Sequence, residues 1–377
     1  MQASMTACFP LLAGIIREHR VQTGDRRGLG ALITALVVGL GLGTLASGVV
    51  AHLFDRPTSA LWVPAGAMAL ALAAVWRFVP ESSRPAAPAP RGSDWLLAAT
   101  LSIGLSVVML AIGKSGSRGW GWSTPRALGM LTAGVLLTGV WLVIAGRSGR
   151  SVIDPRMFRD RQAAVYSLTS LAFAFCMIGP VIPDAVYLSA PPRSLGYGLG
   201  LAPFAESLAL IPNLAAMGIG SVLARRYARI RGDRAALTTG SVLMAAGYLG
   251  ALAGSRSRIE LLGALAVVGL GCGTLQFTTR TLAVEAAPES AVSARAGVNE
   301  ILITLGGAVG AATAVAIQAF YTPVGHLLPK SEAFTAVWAV CAAIGVASAA
   351  VSLCYPTTVR PQHSGSVLAE SAMQPQL

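Results

Sequence analysis

Apolar residues in this chain come in long blocks separated by short polar loops. Ten blocks are long enough to cross a bilayer: residues 29–54, 60–78, 95–113, 127–146, 163–190, 198–224, 236–254, 261–279, 291–320 and 333–355. A hydrocarbon core about 30 Å thick needs about 20 apolar residues of helix. An eleventh block, residues 3–16, has only 14 residues. It reads as the tail of a helix whose start is missing. The expected fold class is all-α: a polytopic membrane helix bundle with about 11 membrane helices, the first one partial.

The polar positions carry a second pattern. Of the 28 Lys and Arg, 20 fall in one set of alternate loops and 8 in the other, with Arg280 and Arg295 counted in a loop of the first set. Basic residues stay on the cytoplasmic side of a membrane. The first set is therefore expected inside, with the C-terminus cytoplasmic and the chain multi-pass in the cell's inner (cytoplasmic) membrane. The net charge of +12 then points to anionic lipid headgroups as partners rather than to nucleic acid.

Composition fits a membrane bundle. The chain is 12% charged, against about 25% in soluble domains, and its mean hydropathy is +0.65. The 42 glycines lie largely within the blocks, where small residues let helices approach closely. Gly39/Gly43, Gly269/Gly273 and Gly306/Gly310 are each four apart and so share a helix face. The five cysteines (Cys8, Cys176, Cys272, Cys341 and Cys354) form no Cys-x-x-Cys pair and read as small core residues. The first residues lack a basic n-region and a cleavage site, so no signal peptide is expected.

Two loops interrupt the rhythm. Residues 80–94 (PESSRPAAPAPRGSD) read as a flexible linker, and residues 147–162 form a basic loop before the longest run of blocks. The expected organisation has four parts. Residues 1–85 are a partial N-terminal bundle, and 86–162 are the linker and two extra membrane helices. Residues 163–355 are a C-terminal six-helix bundle, and 356–377 a disordered cytoplasmic tail.

Several stretches resemble one family. Residues 39–48 (GLGLGTLASG) look like the glycine-rich antiporter motif of a fifth helix, carried by Gly39, Gly43 and Gly48. Pro64-Ala65-Gly66 and Pro80-Glu81-Ser82 look like the start and exit of a sixth. Asp94-Trp95, Gly104-Leu105, Gly113 and Gly119-Trp120-Gly121-Trp122-Ser123 look like a seventh helix and its outer loop. Residues 154–161 (DPRMFRDR) look like the entry to a C-terminal half. Gly297-Val298-Asn299-Glu300 with residues 305–310 (LGGAVG) look like a thirteenth helix. Together they resemble the fourteen-helix drug:proton antiporter branch of the major facilitator superfamily, over residues 1 to about 355. On that mapping block 3–16 ends helix four, and helices one to three are absent. The chain departs from the family pattern at Thr44, where proline is usual, at Ser47, where glycine is usual, at Arg229, where an acid is expected, and at Ile303-Thr304, where Arg-Glu or Arg-Gln is usual.

Of the 16 acidic residues, three fall inside blocks: Asp184, Glu206 and Glu300. A carboxylate in hydrocarbon is costly, so each is a functional candidate by default. Glu300 lies about nine residues into its block, roughly 14 Å at 1.5 Å per residue, near the depth where transporter sites sit. With no basic residue near it in its helix, it is expected to be protonated and to give up that proton to an incoming cation. The other reading is a neutral Glu300 bonded to Asn299, Thr304 or a backbone carbonyl. Asp184 follows Pro180 and Pro183 at the outer end of its block, where it is either solvated or functional. Glu206 lies near Pro212 and Asn213. Asn213 and Gln276 either line a polar cavity or join helices.

His19, His52, His326 and His363 lack metal spacing, and no nucleophilic triad or phosphate loop is present. Neither an enzyme nor a cofactor nor a metal is expected. The leading reading is a secondary transporter exporting amphipathic, cationic drugs or dyes against protons. Its partners would be that small molecule, protons and lipids, and a monomer is favoured. The alternative is a truncated, transport-inactive remnant of such a protein. A membrane enzyme acting on lipid-linked substrates would need paired acids or histidines at an interface, and none are found.

Overall fold

A computed structural model describes Leu12 and residues 28–54, 57–78, 92–115, 120–121, 124–148, 158–254, 257–285 and 292–356. Apart from Leu12, the short first block lies outside the described residues. So do most of the 80–94 linker, residues 149–157 of the basic loop, and the tail beyond 356.

The described elements are helical. They are α1 (Gly28–Leu53), a short 3-10 helix (Pro57–Leu61), α2 (Trp62–Phe78), α3 (Gly92–Lys114), α4 (Pro125–Ser148), α5 (Arg161–Ile178) and α6 (Val181–Ser189). They continue as α7 (Pro192–Leu195), α8 (Pro203–Ala209), α9 (Ile211–Arg231), α10 (Asp233–Gly254), α11 (Arg258–Glu285), α12 (Val292–Phe320) and α13 (Ser331–Leu353). Counting α5–α6 and α8–α9 as one span each, ten helices are long and apolar enough to cross a membrane.

Local chemistry sets the breaks. Asp160 caps α5 by accepting from the Gln162 amide at 3.1 Å. The helix ends at Gly179-Pro180, since proline has no N–H to continue the ladder, and α6 starts one residue later. Pro203 and Pro212 likewise open α8 and α9 within their first two residues. The tight turn between α9 and α10 runs through Gly232 at φ +88°, a conformation that favours glycine.

The six spans from Arg161 to Leu353 share a core of Tyr166, Phe173, Met244, Tyr248, Leu275, Phe334 and Trp338. Close backbone approach builds it. A Cβ placed on Gly269 or Gly273 of α11 would lie 2.2 or 1.9 Å from the carbonyl oxygens of Asn213 and Met217 on α9. On α12, Gly306 and Gly310 press equally hard on the Leu171 and Phe175 carbonyls of α5. Outside this core, α3 and α4 pair through Gly104 and Gly134, and α3 lies along α12. Trp141, Ala145 and Val298 form a small core there. The helix α1 rests on α8 and α9, with Val37 joining the main core.

Two boundaries differ from the sequence pattern: the block 198–224 begins as helix only at Pro203 and runs on to Arg231, and the block 261–279 runs on past Arg280. Arg280 was counted as a loop residue, but α11 continues to Glu285 and holds Arg280 inside the helix at 6% exposure. The physical reason is the apolar run Leu282-Ala283-Val284, which is buried and carries the helix past the arginine.

Candidate functional site: the buried acids of the C-terminal bundle

Glu300 projects from α12 toward α11 and is 4% exposed. The Arg280 Nε donates to its Oε1 at 2.6 Å, and Arg280 Nη2 donates to its Oε2 at 3.0 Å. This two-pronged pairing corrects the expectation that Glu300 lacks a cation and sits protonated. The partner comes from a neighbouring helix rather than its own. A buried ion pair persists where geometry is good and both oxygens are bonded.

Beside the pair, Ser170 Oγ on α5 donates to Asn299 Oδ1 at 2.7 Å. Asn299 is 1% exposed, and its Nδ2 finds no partner among the described residues. Thr304 donates its hydroxyl to the Glu300 carbonyl at 2.9 Å, a local helix bond that leaves the carboxylate to Arg280. Three helices, α5, α11 and α12, thus meet at one polar layer inside the bundle.

Asp184 stands elsewhere. It lies in α6, beyond the Gly179-Pro180 break. It is half-buried rather than solvated. The indole Nε1 of Trp338 donates to its Oδ1 at 2.8 Å. Around them the rings of Tyr187, Tyr197, Phe334 and Trp338 pack together. Tyr187 meets both Phe334 and Trp338 edge-on at 5.2 Å, and Tyr197 lies 5.9 Å from Tyr187 and 5.2 Å from Phe334. The Tyr197 hydroxyl donates to the Pro329 carbonyl and ties the following loop to the start of α13.

The remaining candidates are dispersed. Glu206 is half-buried in the first turn of α8. Asn213 donates its Nδ2 to the Leu265 carbonyl at 2.6 Å, so it joins α9 to α11 rather than facing a cavity. Of the motif glycines, Gly48 is buried, and a Cβ there would meet Ser207 Oγ of α8 at 2.2 Å. Gly39 and Gly43 have no described atom within 4 Å of a built Cβ.

Sequence reasoning missed two residues. Arg280 was hidden by ending the block at Thr279, although the buried run after it was a usable signal. Trp338 lay mid-block, where a buried indole N–H needs an acceptor. Among the described residues, no group of His, Cys, Asp and Glu could hold a metal ion.

Comparison with known proteins bears on the same region. Residues 207–362, less than half of the chain, match the family described as sugar (and other) transporter. The probable actinorhodin transporter of Streptomyces coelicolor is 26% identical over 319 residues, 81% of this chain and 53% of that protein. The tetracenomycin C resistance and export protein of Streptomyces glaucescens is 24% identical over 221 residues, 57% of this chain and 38% of that protein. An uncharacterised MFS-type transporter of Mycobacterium tuberculosis is 26% identical over 220 residues, 57% of this chain and 30% of that protein. The chain thus spans between about a third and about half the length of these relatives. A mutant of the nucleoside transporter NupG superposes with a TM-score of 0.44 at 12% identity, covering 94% of this chain and 98% of that one, too loosely to argue from. The relatives bear the names of transporters, and with ten helices long and apolar enough to cross a membrane this chain has the make-up of a multi-pass membrane protein.

Proposed function

We propose that the chain belongs to a proton-coupled exporter of amphipathic compounds. The observation that carries the reading is the set of carboxylates held within the helices of the C-terminal bundle, Glu300 and Asp184 above all. Acids kept inside a membrane bundle at such cost are the groups that exchange protons or meet charged ligands. Two of the relatives carry names of antibiotic transport or export, which gives the direction and the amphipathic class. The expected preference for cations rested on an unpaired Glu300. With Arg280 beside it the pair is neutral, so that preference has to come from another acid.

In this reading Glu300, Asp184 and Glu206 are the proton-coupling or substrate-binding acids, with Asn299 and Asn213 as polar neighbours. Gly39, Gly43 and Gly48 are assigned to a close-packed contact between halves, of which the Gly48 contact with Ser207 of α8 is the part present among the described residues. The fourteen-helix branch assignment, with helices one to three not in this chain, belongs to the same proposal. So do the division at about 85, 162 and 355, the inner-membrane location and the cytoplasmic C-terminus. Protons and membrane lipids are the other partners, with no nucleic acid and a monomer as the working unit. The second reading is a transport-inactive remnant of such a protein.

Dye efflux separates the two. Cells carrying a form extended upstream should export cationic and neutral amphipathic dyes until the proton gradient is collapsed, and Glu300→Gln should abolish the coupling. Equal dye retention with and without that form would sink the exporter reading. Export by the extended form but none by this chain would identify the remnant. For topology, an impermeant thiol reagent should label Ser117→Cys and spare Ser148→Cys in intact cells carrying no other cysteine. The reverse pattern would invert the orientation.

A further inference from the structure

We propose that the turn between α9 and α10 binds a phospholipid carrying two phosphates, one held by Arg226 and Arg229 and the other by Arg231 and Arg234. Residues 225–234 (RRYARIRGDR) hold five arginines and a single acid, Asp233, which is also the only acid between Glu206 and Glu260. Arg226, Arg229 and Arg231 are exposed, and Arg234 is half-buried. No ion pair joins any of these four to an acid among the described residues. Arg225, the fifth, is half-buried and has an interaction of its own. Even with Asp233 counted, the turn is strongly positive.

The surroundings choose the ligand class. Ile219, Val222, Leu223 and Ile230 of α9 are 55%, 58%, 54% and 68% exposed. Their spacing puts them on one helix face with Arg226. In a helix of membrane length such a stripe meets acyl chains. Arginine stems lie along apolar surface and carry the guanidinium to the headgroups. A soluble anion would use the charge alone; a lipid uses the charge and the stripe together. The general pull of basic loops on anionic membranes needs no such geometry. The number of phosphates follows from the forks. A guanidinium grips a phosphate through paired N–H groups, and a phosphodiester has only two free oxygens. Four arginines on one turn therefore match two phosphates better than one.

The turn is held in place before any ligand arrives. Gly232 donates its amide to the Ala228 carbonyl at 2.9 Å, and its own carbonyl accepts from the Ala236 amide at 3.2 Å. The Thr239 hydroxyl donates to the Tyr227 hydroxyl at 3.2 Å and ties α10 to α9. The carbonyl end of α9 favours Arg229 and Arg231 through its dipole. That places the cations without giving them a counter-anion. Arg226 and Arg229 are three residues apart on α9, and Arg231 and Arg234 straddle Gly232, so the two pairs sit side by side on a short, fixed piece of backbone.

The site needs a chain that spans a bilayer, not the exporter reading, so lipid binding is measured without transport. The chain in mild detergent is titrated with cardiolipin, whose two phosphates share one glycerol, and retained lipid is counted by native mass spectrometry. The wild type should retain cardiolipin about tenfold more strongly than phosphatidylglycerol. Arg226→Gln with Arg229→Gln, or Arg231→Gln with Arg234→Gln, should weaken retention about tenfold or more, at about fivefold for each arginine. Lysine at all four positions should weaken it several-fold, because the charge stays and the forks go. Arg126→Gln with Arg193→Gln, which removes two exposed arginines elsewhere, should change nothing. If one paired variant does not fold, the other and the lysine form carry the decision. Retention unchanged in the paired variants, or lost equally in the Arg126 and Arg193 control, overturns the site. Equal retention of phosphatidylglycerol overturns the assignment of two phosphates. Displacement of the lipid by inorganic pyrophosphate at equal concentration gives the site to a soluble diphosphate and overturns the lipid. Cardiolipin retained as expected with no dye efflux from any form sinks the exporter reading and leaves the site standing.

Discussion

Two glycine pairs with the same spacing have opposite surroundings. Gly306 and Gly310 of α12 touch the α5 backbone so closely that no larger residue fits. Gly39 and Gly43 of α1 touch nothing described. The difference extends to whole helices. In α5–α6 and α11, 67% of the most apolar window is buried, but in α2 none is. The small-xxx-small spacing marks a helix face able to pack closely, but the neighbour that fills the face decides whether it does. The region from Arg161 to Leu353 supplies its own neighbours; α1 and α2 meet few.

The strongest way to break the comparison is to put the same bulky side chain in both regions. Gly273→Leu drives its first carbon to within 1.9 Å of the Met217 carbonyl, so α9 and α11 have to separate. Overpacking of this kind costs about 3 kcal/mol or more. Thermal unfolding in detergent should show a large loss, or no monodisperse protein at all. Gly43→Leu should unfold with the wild type. If both are tolerated alike, the close approach in the C-terminal region is not what holds it together.

Charge gives the next largest effect. Arg280→Met alone leaves the Glu300 carboxylate buried with no counter-charge, and removing one member of a buried pair costs about 3–5 kcal/mol. Replacing both with Met should recover most of that loss, because a well-packed apolar pair often equals a buried ion pair. A double-mutant cycle on thermal unfolding reads the coupling directly. Additive losses would show that Arg280 and Glu300 do not depend on each other.

What the sequence disclosed, and what it withheld, follows from the same physics. Block length and hydropathy are properties of single segments, so ten spans were legible, as were the glycine faces of α11 and α12. The depth of Glu300 was legible too. Its charge state was not, because the decisive cation belongs to another helix 20 residues away in sequence. Asp184 and Trp338 are 154 residues apart, and only the fold brings them together. Asn213 could have faced either a cavity or a helix; its bond to the Leu265 carbonyl depends on how α9 crosses α11.

A smaller effect is expected where the partner of an acid is neutral. Trp338→Phe keeps a ring edge-on to Tyr187 but removes the N–H that donates to Asp184. Losing one bond to a half-buried carboxylate costs about 1–3 kcal/mol. That is less than the loss at Arg280, since no full counter-charge disappears. Unfolding of Trp338→Phe beside Arg280→Met should preserve this order. A larger loss at Trp338 would mean that the aromatic cluster, and not the ion pair, anchors the bundle.

The smallest effect is predicted for Gly43→Ala, and its sign is informative. Gly43 is helical within α1, and no described atom stands within 4 Å of a built Cβ. Alanine is about 1 kcal/mol better than glycine in a helix interior. This chain should therefore lose nothing, and should gain at most a fraction of that figure. The same substitution in a form extended upstream asks a different question. If a further helix seats on the Gly39–Gly43 face, a methyl group there meets backbone, and the extended form should lose stability or efflux while this chain does not. Opposite responses in the two forms would show that the glycine face waits for a neighbour. Identical, neutral responses would show that it faces lipid, and the close-packed contact between halves would then rest on Gly48 alone.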